Sequence, residues 1–134
     1  MASESPALQA NSPGEPASLV DWALALDIVG GDAGVLSEVL EAFLVEAPRQ
    51  SQAIERAVQA GDAAALHLAA HTLKSSLRYL GAKESQELAF RLEQAGRANA
   101  VAESRAIATE LARRMERILI EAATEWRRLR GNSR

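Results

Sequence analysis

The chain has 134 residues and a formal net charge of −3, with 48% hydrophobic but only 4% aromatic residues. That length suits one domain around one core, and the negative balance excludes a general nucleic-acid binder. No cysteine is present, so disulfides and thiolate metal sites are excluded. No apolar run approaches the ~20 residues of a membrane span, and the N-terminus lacks a basic-then-apolar signal pattern. The expected setting is the cytoplasm, with no membrane partner. Ala and Leu dominate, and Gly and Pro sit at breaks, which favours an all-α protein.

Residues 1–17 hold Pro6, Pro13 and Pro16 with almost no large apolar side chains, the composition of a disordered tail or linker. A domain of residues 18–130 follows, with 131–134 as a disordered end. Ser18 is the expected cap of a short helix running to Val29, with Asp21 three residues on and Gly30-Gly31 as its stop. This helix is too short to be a stave and reads as a lid. Asp32 caps the next helix, in which Leu36, Leu40, Phe43, Ala47, Ile54 and Ala57 keep one register across Pro48. One long kinked helix over 33–60 is therefore expected. Val35 and Val39 widen its stripe, to seat the first helix or to leave an apolar patch.

Gly61-Asp62 is a stop followed by a cap, and a helix spans 62–80. The next, 84–97, turns Leu88, Leu92 and Ala95 inward. Asn99 is the expected cap of the last helix, 100–129, whose stripe is Ile107, Ala108, Leu111, Met115, Ile118, Leu119, Ala122, Trp126 and Leu129. Four long amphipathic helices with short connections predict an antiparallel up-down four-helix bundle. From Arg113 to Arg134 there are seven Arg against three Glu. That basic end reads as the favourable placing of cations at a helix C-terminus before it reads as a site for an anionic partner.

The stretch Leu66–Ala82 carries the chemistry. At about 100° per residue, Leu66, Ala69, Leu73, Leu77 and Leu80 form one buried stripe, while His71 lies opposite with His67, Lys74, Ser75 and Arg78 around it. His71-Thr72-Leu73-Lys74-Ser75-Ser76, with Gly81-Ala82 following, resembles the signature of histidine-containing phosphotransfer (HPt) domains. That signature runs His-x-Leu-Lys-Gly-Ser, four residues, then Gly, and here Ser75 stands in the Gly place. Gly61-Asp62 and Arg91-Leu92-Glu93 match the family's spacing as well, so the resemblance covers roughly 19–128.

The resemblance implies a four-helix domain in which His71 accepts a phosphoryl group from a receiver-domain aspartyl-phosphate and relays it to a second receiver. It implies receivers or a hybrid histidine kinase as partners, a phosphotransfer intermediate more than an enzyme, and Mg²⁺ supplied by the receiver. It also implies that Glu93 hydrogen-bonds the unreactive imidazole nitrogen; a salt bridge to Arg97 is the plain alternative. An unprotonated imidazole is a nucleophile near neutral pH. Lys74 and Arg78 are placed to compensate phosphoryl charge, and Ser75 is small enough to allow close approach. Leu68, about 60° from His71, is a candidate for the docking surface, with Tyr79 on its flank and His67 as a solvated neighbour.

Other chemistries find little support. His67 and His71 at i, i+4 share a face, but a zinc site wants three or four ligands and these are the only two histidines. There is no glycine-rich phosphate loop and no framework for a Ser-His-Asp arrangement. A phosphotransfer-inactive helical docking module, monomeric like the relay protein, is the competing reading.

Overall fold

The structure, a computed structural model, describes residues 18–132, and the expected tail over 1–17 lies outside them. Among these residues five α-helices follow one another: α1 (Trp22–Ile28), α2 (Ala33–Ala60), α3 (Ala63–Tyr79), α4 (Lys83–Arg97) and α5 (Arg105–Asn132), the last preceded by a 3-10 turn at Ala102–Ser104. Among the described residues there is no strand, so the all-helical expectation holds. The four long helices pack in a ring, α2 on α3, α3 on α4, α4 on α5 and α5 on α2, with α1 against α2.

Each stripe read from periodicity turns inward. Leu66, Leu73, Leu77 and Leu80 are fully buried, as are Leu40, Ala47, Leu92, Ile118 and Ala122. Burying a leucine of this kind stabilises by about 1.5–3 kcal/mol, so α3 is held in one rotational setting by its stripe. α2 is unbroken across Pro48, and its buried face runs Leu36, Leu40, Phe43, Ala47, Ile54, Ala57. In α4, Leu88 and Ala95 are only half-buried, while Ser85, Ala89 and Gly96 join Leu92 inside. Small residues can be buried there because α4 lies close against α3.

Three expected boundaries are corrected. Ser18 does not cap α1: the Asp21 carboxylate accepts from the Leu24 N–H at 3.0 Å. The Ser18 hydroxyl and the Leu19 N–H instead donate to Glu121 of α5, at 2.6 and 3.1 Å, tying the start of the domain to that helix. Asn99 does not open the last helix. It sits just past α4 at φ 58°, a left-handed conformation that Asn tolerates better than most residues, and α5 begins only at Arg105. At the other end α5 continues to Asn132, so 131 and 132 are helical rather than part of a loose end.

Val35 stays 40% exposed. Val39 lines a groove of about 250 Å³ between α2 and α3 with Ala42, Phe43, Glu46, Ser76 and Tyr79. The widened stripe of α2 thus leaves apolar surface on the α3 flank. Gly81 connects α3 to α4 at φ 65° with the Asp21 carbonyl packed directly over it. Asp62, the cap of α3, accepts from the Ala65 N–H at 3.0 Å.

Candidate functional site

His71 stands on the solvent side of α3, because the leucines at spacings of 3 and 4 claim the other side. Its side chain is 55% exposed. Its Nδ1 lies 2.9 Å from Glu93 Oε2, across the α3–α4 contact. A carboxylate only accepts hydrogen bonds, so Nδ1 carries a proton, and in the neutral imidazole Nε2 keeps its lone pair. The imidazole is therefore held in the tautomer that presents a free nucleophilic nitrogen.

Glu93 is itself nearly buried, and its second oxygen sits 2.7 Å from Lys74 Nζ. Burial would by itself raise the Glu93 carboxyl, but hydrogen bonds from Lys74 and His71 outweigh it and hold the group below its ordinary value. Arg97, the i+4 alternative partner, reaches only 4.0 Å from Oε2 and stays largely in solvent. A pair so exposed contributes ~0–1 kcal/mol. The cross-helix contacts outrank it.

Lys74 also lies 5.0 Å over the Phe90 ring. This aromatic contact and the Lys74–Glu93 pair were not foreseen from the sequence. Phe90 and Glu93 share a side of α4, a spacing that was visible, but only the packing of the helices places Lys74 between them. Arg78 is exposed and lines a shallow depression with Lys74, Lys83, Gln86, Glu87 and Phe90. Ser75 donates its hydroxyl to the His71 carbonyl at 3.3 Å, which folds its side chain back along α3.

His67 is not merely a solvated neighbour. It is half-buried, and its Nδ1–H donates to the Glu93 backbone carbonyl at 3.2 Å. Its ring is 6.4 Å from that of His71 and inclined by 16°. Leu68 and Tyr79 are 66% and 46% exposed, on the side of α3 that faces the α2 groove. Among the described residues, no group of three or more His, Asp or Glu side chains could hold a metal ion.

Fold and geometry together define a class: an all-helical domain displaying one exposed imidazole whose tautomer is set by a buried carboxylate from the next helix. The model of the Hpt domain matches residues 38–121, more than half of the chain, and the chain belongs to that family. The match contains all of α3 and α4, and therefore every residue of the imidazole site. In fold the chain is similar to the crystal structure of histidine-containing phosphotransfer protein B (HptB) from Pseudomonas aeruginosa PAO1. The TM-score is 0.74 at 22% identity, over 84% of this chain and 98% of that one. No curated protein sequence matches the chain. Members of the Hpt family serve histidine phosphotransfer in phosphorelays and interact there with receiver domains and kinases. They are relay intermediates rather than enzymes in the usual sense. Among the described residues, no helix is long and apolar enough to cross a membrane.

Proposed function

We propose that His71 is the phosphoacceptor of a multistep phosphorelay, receiving from the aspartyl-phosphate of one receiver and delivering to the aspartate of another. The observation that carries this is the 2.9 Å bond from Nδ1 of a His71 side chain that is 55% exposed to a buried carboxylate. In the transfer, the Nε2 lone pair forms the new N–P bond as the acyl-phosphate P–O bond breaks, leaving a carboxylate on the receiver. Nδ1 keeps its proton, so the phosphorylated imidazole is cationic, and the Glu93 carboxylate stabilises that charge. The return step reverses the bonds onto the second aspartate.

Lys74 compensates charge on the phosphoryl oxygens, with Arg78 assisting from the next turn, and Ser75 keeps the approach open. Mg²⁺ comes with the receiver. Leu68, Tyr79 and His67 form part of the docking surface, and the protein works as a cytoplasmic monomer, free-standing or as part of a hybrid kinase. The ring of four long helices is read as an antiparallel up-down bundle, with α1 as a lid.

Incubation with a phosphorylated receiver tests the reading. The wild-type chain should take up label, and His71→Ala should take up none while remaining folded, its melting temperature lowered only by the loss of one hydrogen bond to the buried Glu93 carboxylate, about 1–3 kcal/mol. His67→Ala should remain an acceptor. Label on the His71→Ala protein would remove the assignment.

A further inference from the structure

We infer that Gly96 is a positioning residue: the close approach of α4 to α3 that it permits holds Glu93 within reach of both His71 and Lys74. The inference rests on the proposed role of His71.

Gly96 lies in the last turn of α4 and is buried. Its backbone is not left-handed, unlike Gly30, Gly31, Gly61 and Gly81, so conformation does not explain the glycine. Space does. A Cβ at this position would lie 2.6 Å from the His67 backbone nitrogen, 2.7 Å from the Ala63 carbonyl oxygen and 2.9 Å from the His67 Cα. All three are main-chain atoms of α3 and have no rotamer to escape into. Ordinary contacts of carbon need ~3.5–4.0 Å, so any side chain at 96 must push the two helices apart by about an ångström.

That junction is also where the site is tied together. Gly96 is three residues from Glu93 and meets α3 one turn before His71. The Glu93 main chain is fixed to the same place by the His67 Nδ1–H bond to its carbonyl. Glu93 then spans the contact with both oxygens, 2.9 Å from His71 and 2.7 Å from Lys74. Both distances sit in the normal hydrogen-bond range, and an ångström more would take them out of it. Separating the helices at residue 96 therefore releases the Nδ1–H of His71, and with it the preference for a free Nε2. It also leaves Lys74 without its counter-ion.

The test uses the full chain, labelled with nitrogen-15, as wild type, Gly96→Ala and Leu36→Ala. Leu36 is buried in the first turn of α2, and its truncation costs core stability without touching the α3–α4 junction. Wild type and Leu36→Ala should show the hydrogen-bonded Nδ1–H proton of His71 and a single tautomer. Gly96→Ala should lose that proton and show mixed tautomers. Uptake of phosphoryl from phosphoramidate, a small donor that needs no docking surface, should slow by roughly 10-fold or more in Gly96→Ala and stay near wild type in Leu36→Ala. An unchanged Nδ1–H signal in folded Gly96→Ala would overturn the inference. If Gly96→Ala does not fold, Glu93→Asp decides, because it withdraws the carboxyl by one methylene without crowding the junction. A retained Nδ1–H bond in Glu93→Asp would show that spacing at this contact is not critical. Failure of wild type to take up phosphoryl would count against His71 as acceptor, and the tautomer measurement would still decide the role of Gly96.

Discussion

At 7% side-chain exposure, Glu93 holds one oxygen against His71 and the other against Lys74. A carboxylate so enclosed is stable only because the Lys74 ammonium offsets its charge and the His71 N–H bonds it. Its folded-state value is depressed relative to the ordinary 4.5, so its contribution to stability is complete above that pH and is lost as pH falls through the depressed value. Glu93→Gln should therefore be less stable than wild type near neutrality, and the gap in melting temperature should narrow as pH drops below 4.5. A gap independent of pH would show that the carboxylate charge is not what matters. Lys74 pairs Glu93, and in the proposed relay it also meets the phosphoryl group. Lys74→Ala should slow transfer at saturating receiver by roughly 10-fold or more, with receiver affinity largely kept. Lost affinity with an unchanged saturated rate would make Lys74 a docking residue instead.

At the scale of the elements, the α3–α4 connection carries two separate demands on one glycine. Gly81 adopts φ 65°, and a Cβ there would also come within 2.9 Å of the Asp21 carbonyl. Gly61, between α2 and α3, has a similar φ of 68° but open space around it. Gly61→Ala should thus cost only the left-handed strain, about 1–2 kcal/mol. Gly81→Ala should cost more, because the chain leading into α1 must also move. Urea denaturation of the two variants isolates the contact beneath α1, and equal losses would mean that α1 yields freely at its start.

Across the whole molecule, the imidazole lies between two unlike flanks. On the α4 side are Lys74, Arg78 and Lys83 around a shallow depression. On the α2 side are the exposed Leu68 and Tyr79 and the apolar groove lined by Val39 and Phe43. In the proposed relay, charge compensation lies to one side of the phosphoryl group and apolar anchoring to the other, a division suited to a partner that must dock and then release. Leu68→Glu should weaken receiver binding and slow transfer below saturation while leaving the melting temperature within a few degrees of wild type. A large fall in melting temperature would assign Leu68 to the core, and unchanged affinity would place docking elsewhere.

Periodicity alone located the helices and the side of α3 on which His71 stands, because an apolar stripe is a property of one helix and its spacing. The long α2 was legible across Pro48 for the same reason: its stripe never changes register. The motif around His71, by resemblance, singled out His71 as the expected acceptor and pointed to Glu93, which the structure places 2.9 Å from its Nδ1. What periodicity could not decide were the contacts between helices. Ser18 reaching Glu121, Asn99 closing α4 rather than opening α5, and Lys74 sharing Glu93 with His71 all depend on how neighbouring helices are rotated and how close they come. That separation is set by buried side-chain size at each crossing. Gly96, where no side chain at all can fit, looks in the sequence like an unremarked residue near a helix end, and only the packed α3 shows why it is there.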